Sequence, residues 1–123
     1  MPRFTFKKEE RLKSRLSISR LFQEGRSINF SPLRILYLSK PPGPYPAEMG
    51  VAVPKRIIRK ASDRNLIKRR MRESYRLFKP QFYKLLNDNG KQFSFMVIYQ
   101  SEKIEDFKTI NESLQKALRK LAQ

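Results

Sequence analysis

Cysteine, histidine and tryptophan are all absent from this 123-residue chain. Without thiols there can be no disulfide, no thiolate metal site and no cysteine nucleophile. Without imidazole, the side chain that titrates near neutral pH is missing, and with it every histidine-based acid–base scheme. Acidic residues are scarce as well: 11 Asp and Glu stand against 28 Lys and Arg, a formal charge of +17 with a pI near 10.6. A long hydrophobic run is also lacking. The most apolar stretch, Phe93–Tyr99, falls far short of the ~20 residues a spanning helix needs. Residues 1–11 are basic but have neither an apolar core nor a small-residue cleavage site, so no secretory signal is visible.

What remains is still enough for a fold. With 39% hydrophobic and 11% aromatic residues, the chain is too apolar for a disordered polycation, and its length suits one domain, 1–123. The expectation is a cytoplasmic protein with a polyanionic partner, because so large an excess of one charge repels itself in a compact state. The charge is concentrated. Residues 54–79 hold eleven basic residues against two acidic ones, net +9 of the total, while residues 1–26 carry a further +5.

Hydrophobic patterning divides the chain into six elements. Residues 15–23 read as a short amphipathic helix with Leu16, Ile18, Leu21 and Phe22 as its apolar side, Ser14 or Ser17 as cap and Gly25 as stop. Before it, residues 1–10 form a basic, flexible N-terminal segment. LRILYLS at 33–39 reads as a strand, and the proline-rich stretch 40–47 as a loop. EMGVAVP at 48–54 is a second strand. A helix capped by Ser62 or Asp63 then runs to Phe78; Pro80 ends or kinks it near Lys79, with another turn or two before Gly90. FSFMVIYQ at 93–100 is the clearest strand. From Asp106 onward, Phe107, Ile110, Leu114, Ala117, Leu118 and Leu121 recur at helical spacing. The order α-β-β-α-β-α predicts an α+β fold, a two-layer α/β sandwich with a small mixed sheet packed by helices.

The middle helix carries the functional signal. At 100° per residue, Ile67, Met71, Ser74, Tyr75 and Phe78 share the side facing the core. Asn65, Lys68, Arg69, Arg72 and Arg76 form an arc of about 100° beside it. Like charges at three- and four-residue spacing destabilise a helix, so a plain solvated face is a poor use for them. Arginine suits bidentate phosphate contacts, and asparagine can read a base edge or a 2′-hydroxyl. Lys55, Arg56, Arg59 and Lys60 extend the cluster past the helix N-terminus, itself an anion-attracting end. Binding of this kind should depend steeply on salt. The identity of the polyanion is not contained in these features.

At this point the sequence resembles a known family. Arg64-Asn65, Lys68-Arg69 and Arg72-Glu73 reproduce the spacing R-N-x-x-K-R-x-x-R-E of the bacterial ribonuclease P protein subunit. Ahead of that motif, Val53-Pro54-Lys55-Arg56 is similar to the family's V-x-K-[KR] strand end. Arg11-Leu12, Leu21-Phe22 with Gly25, and Ile35-Leu36-Tyr37 extend the resemblance over nearly the whole chain. Leu66 stands where the family carries its second motif arginine, with Arg70 as the candidate replacement. Ile18 occupies a position that is often aromatic.

The resemblance implies a small partner of a catalytic RNA, assisting endonucleolytic removal of the 5′ leader from precursor tRNA. Magnesium ions would act through the RNA subunit, with no metal and no catalytic residue on the protein. It also implies that Arg64, Asn65, Lys68, Arg69 and Arg72 contact the catalytic RNA, and that Ile18, Phe22 and Tyr37 line a cleft for the single-stranded leader. A left-handed βαβ crossover around the motif helix comes from the resemblance alone, since general topology favours the other hand. No obligate protein partner and no membrane is implied. The acids agree with this division of labour, because Glu24, Glu48, Asp63, Glu73 and Asp88 are scattered. Glu102, Glu105 and Asp106 open the last helix, where the dipole favours them. The competing readings are a ribosomal-type structural RNA binder, a free-standing nuclease and a DNA-binding helix, the last without any helix-turn-helix spacing.

Overall fold

Gly25 sets the first corner of the molecule. Its N–H donates to the Leu21 carbonyl at 2.9 Å, and a Cβ at this position would collide with that same carbonyl. The chain therefore turns directly from helix α1 (Arg15–Glu24) into strand β1 (Arg26–Phe30). The structure, a computed structural model, describes residues 10–12 and 15–123. Ser14 and residues 1–9 of the basic segment lie outside the described residues. Glu10 does not belong to a flexible tail: it is buried, at 1% exposure.

After β1 come β2 (Leu33–Ser39), β3 (Ala47–Ala52), α2 (Ala61–Asp88), β4 (Phe93–Tyr99) and α3 (Phe107–Ala122). The four strands form one mixed sheet in the order β1-β2-β4-β3. β1–β2 and β2–β4 are antiparallel, whereas β3 and β4 run parallel as neighbours joined through α2. This is the expected α+β arrangement with one element added. The sequence pattern does not announce β1, because RSINF has only Ile28 and Phe30 as apolar positions and lies at the sheet edge, largely in solvent.

The sheet is apolar on both faces. On one, Leu33, Ile35, Met49, Phe95, Val97 and Tyr99 pack against Ile67, Met71, Tyr75, Phe82 and Leu86 of α2 and Ile110, Leu114 and Leu118 of α3. On the other, Leu36, Met96 and Ile98 meet Leu12 and Leu21, with Ile18, Leu38 and Ala52 partly covered. Among the described residues, α1 and Leu12 cover this second face, and of the four apolar side chains of α1 only Leu21 is buried.

One expectation about α2 is corrected and one alternative is decided. Its cap is Lys60, with no side-chain capping bond, and Ser62 and Asp63 lie inside the first turn. The local turn decides this: Ile57 and Ile58 donate their N–H groups to the Pro54 carbonyl, and Ile58 is buried. The Arg64 guanidinium then holds the Ile58 and Arg59 carbonyls at 3.0 and 2.7 Å, bracing the helix entry. At the other end, of the two alternatives for Pro80, a stop near Lys79 or a further turn or two before Gly90, the structure takes the second: Pro80 lies inside a single 28-residue helix that runs to Asp88. A proline there costs about 3 kcal/mol. Full burial of Phe82 and Leu86 beyond it returns roughly 1.5–3 kcal/mol each, so continuation wins. The helix ends at Asn89 and Gly90, whose φ of 64° is the left-handed value that glycine adopts freely. In α3, Asp106 is the N-cap, accepting the Thr109 N–H at 2.8 Å.

Candidate nucleic-acid interface

Burial of Ile67, Met71, Ser74, Tyr75 and Phe78 against the sheet and α3 fixes the rotation of α2. That leaves Asn65, Arg69 and Arg72 exposed and Lys68 half-exposed on one stripe, with Lys55, Arg56 and Arg59 exposed in the turn before the helix. Among the described residues, none of these six cations pairs with a carboxylate. Six uncompensated positive charges around one helix entry create a field that a polyanion relieves.

Two members of the expected set have internal partners. Arg76 forms a side-on pair with Glu73, Nη2 to Oε1 at 2.6 Å and Nε to Oε2 at 3.1 Å. These hydrogen bonds hold the Glu73 carboxyl below its ordinary range and push Arg76 up. Arg64 spends donors on the two carbonyls that brace the helix entry. Arg70 points elsewhere: its guanidinium donates to the Glu105 carbonyl at 2.6 Å, tying α2 to the approach to α3. Leu66, five residues into the helix, is half-buried.

Beside the stripe, α1 stands over the second face of the sheet, and two hollows open along its Ile18–Phe22 side. One, of about 410 Å³, is lined by Ile18, Gly50, Met96, Arg11 and Arg72. The other, of about 460 Å³, is lined by Phe22, Ile98, Arg34 and Arg56. Phe22 is 59% exposed and so is no part of the core. Arg72 belongs to both the stripe and the first hollow, and Arg56 to both the turn and the second. The basic face and the α1 cleft are thus one continuous surface.

Tyr37 is the residue that the structure removes from the cleft. Alternation along β2 puts it on the same face as Leu33 and Ile35, under α3, where its ring meets Phe93 edge-on at 5.7 Å. Leu36 and Leu38 face α1 instead. Tyr99 and Phe95 are fully buried. Two cleft residues were not anticipated: Arg11 and Arg34. Arg34 shares parity with Leu36 and Leu38, and its place follows only once the structure shows that this parity faces α1.

The carboxylates are dispersed. Glu24 pairs with Arg20, Glu48 accepts from Ser94, and Asp106 caps α3. Among the described residues, no three acids gather where they could hold a metal ion, and no helix is long and apolar enough to cross a membrane.

The family model for ribonuclease P matches residues 6–122. The chain belongs to the ribonuclease P protein family. It is 37% identical to the ribonuclease P protein component of Porphyromonas gingivalis, over 98% of this chain and 89% of that one. The ribonuclease P protein of Thermotoga maritima superposes with a TM-score of 0.71 at 28% identity, covering 90% of this chain and 96% of its own. The Staphylococcus aureus ribonuclease P protein has the same fold: TM-score 0.71, 22% identity, coverage 91% and 94%. The mixed sheet and three helices are therefore those of a ribonuclease P protein.

Proposed function

We propose that this chain works as the protein subunit of a ribonuclease P ribonucleoprotein in the cytoplasm, assisting removal of the 5′ leader from precursor tRNA. Lys55, Arg56 and Arg59, together with Asn65, Lys68, Arg69 and Arg72, grip the catalytic RNA. Arg64 braces the helix that presents them. The single-stranded leader lies beside α1, against Ile18 and Phe22, with Arg34 and Arg56 near its phosphates. An aromatic face stacks a base at ~1–3 kcal/mol without selecting a sequence, which suits leaders that differ between tRNAs. Cleavage belongs to the RNA, whose bound magnesium ions supply the activated water.

The observation that carries this reading is the continuity of stripe and cleft through Arg56 and Arg72. One protein surface can hold two RNA strands that otherwise repel each other. Reconstitution with a ribonuclease P RNA tests it. The protein should raise precursor tRNA cleavage at low magnesium. Unchanged cleavage would favour a ribosomal-type structural RNA binder, and cleavage by RNA-free protein would point to a nuclease.

A further inference from the structure

Glu10 has no place in the interface described above, yet it is one of the most deeply buried charges in the molecule, at 1% exposure. The Lys79 ammonium of α2, itself almost fully buried, reaches both of its carboxylate oxygens, Oε1 at 3.0 Å and Oε2 at 2.8 Å. The Tyr83 hydroxyl donates to Oε2 as well. Immediately afterwards, the Leu12 N–H donates to the Met49 carbonyl at 3.0 Å, and Arg11 bridges to Met49 along the outer edge of β3. The Leu12 side chain drops into the apolar cluster under α1. Three residues thus strap the open edge of the sheet, with one end anchored on the α2 side and the other on the α1 side.

A buried ion pair is a poor source of net stability, but it discriminates sharply between registers. A slip that brought Arg11 to Lys79 would bury two like charges together, and the opposite slip, which offers Glu9 to Lys79, would push Arg11 into the apolar place that Leu12 fills. Only one register is therefore available, and in it Arg11 stands on the hollow that Arg72 also lines, with Ile18 as the apolar wall. Gly50 keeps the floor low, since a Cβ there would press on Met96 Cε at 3.0 Å.

We propose that Glu10 is a positioning residue for the RNA leader: its clasp on Lys79 and Tyr83 holds Arg11 across from Arg72, so that the two guanidinium groups take one leader phosphate between them. This rests on the leader reading of the α1 cleft. Two planar forks converging on one anion give a geometry that neither provides alone.

The test measures binding of precursor and mature tRNA to the reconstituted ribonucleoprotein, alongside the melting temperature of the free protein. Glu10→Gln should lower the preference for precursor about tenfold, the size of one charge-assisted contact. Mature tRNA and RNA-subunit affinities should stay unchanged. Arg11→Ala should cause the same loss, and the double variant no more than either single one. Exchanging the pair, Glu10→Lys with Lys79→Glu, should restore most of the preference that each single exchange destroys. A wild-type preference untouched by Glu10→Gln overturns the clasp and leaves the leader reading standing. A wild type with no preference overturns both. If Glu10→Gln melts early, the exchanged pair decides: wild-type melting without recovered preference assigns Glu10 to stability alone.

Discussion

Phe22 and Tyr37 are both aromatic residues near α1 in sequence, and the sheet separates their roles. Phe22→Ala removes an exposed ring, so the melting temperature should hold while the ribonucleoprotein's preference for precursor over mature tRNA declines. A parallel fall in both would return Phe22 to the core. Tyr37→Ala should behave the opposite way, losing about 2 kcal/mol in urea unfolding with leader discrimination intact. Asp106 gives a pH-dependent case. The Thr109 N–H holds its carboxylate below the ordinary range, so its contribution is present above the unfolded-state value and disappears as pH falls through the folded one. Asp106→Ala should therefore melt earlier than wild type at neutral pH, and the gap should close in acid. A gap that persists once the carboxylate is protonated would mean that capping is not its cause.

The middle helix combines two demands that conflict locally. It must carry a stripe of like charges, which weakens it, and it must continue past Pro80, which weakens it again. Burial of Tyr75, Phe78, Phe82 and Leu86 on one side offsets both. Pro80→Ala should thus raise stability by about 2 kcal/mol, the recovered helical bond less the freedom regained by the unfolded chain; a lower denaturation midpoint would contradict this. On the stripe, Arg69→Ala with Arg72→Ala should shallow the salt dependence of RNA-subunit binding by about two phosphates. An unchanged slope would take α2 out of the interface. Arg76, already paired with Glu73, is expected to contribute less to that slope than either.

As a whole, the molecule compresses a charge of +17 into one small domain, and its stability is limited by self-repulsion. Moderate salt should raise the melting temperature even as it weakens RNA binding, and a melting temperature indifferent to salt would show the charges to be already compensated. Most of this character was readable from residue order. The stripe of α2 follows from helical periodicity, the final helix from its apolar spacing, and β4 from an uninterrupted apolar run. The resemblance rested on Arg64-Asn65, Lys68-Arg69 and Arg72 at their spacing. β1 was not readable, because an edge strand needs few apolar residues to pair. The face of Tyr37 was not readable either, because LRILYLS is apolar on both parities and alternation alone cannot say which parity meets which helix.

Local chemistry, then, was sufficient for what each segment can be: charge density, helical period and turn residues act over a few neighbours and leave their mark in the order of residues. Folding in three dimensions settled what depends on distant partners. Pro80 lies within a helix because Phe82 and Leu86 find a core. Arg70 reaches the Glu105 carbonyl across 35 residues of chain, and Glu10 meets Lys79 across 69. Such contacts are set by packing and by the need to satisfy every buried charge, conditions that exist only once the whole chain has closed on itself.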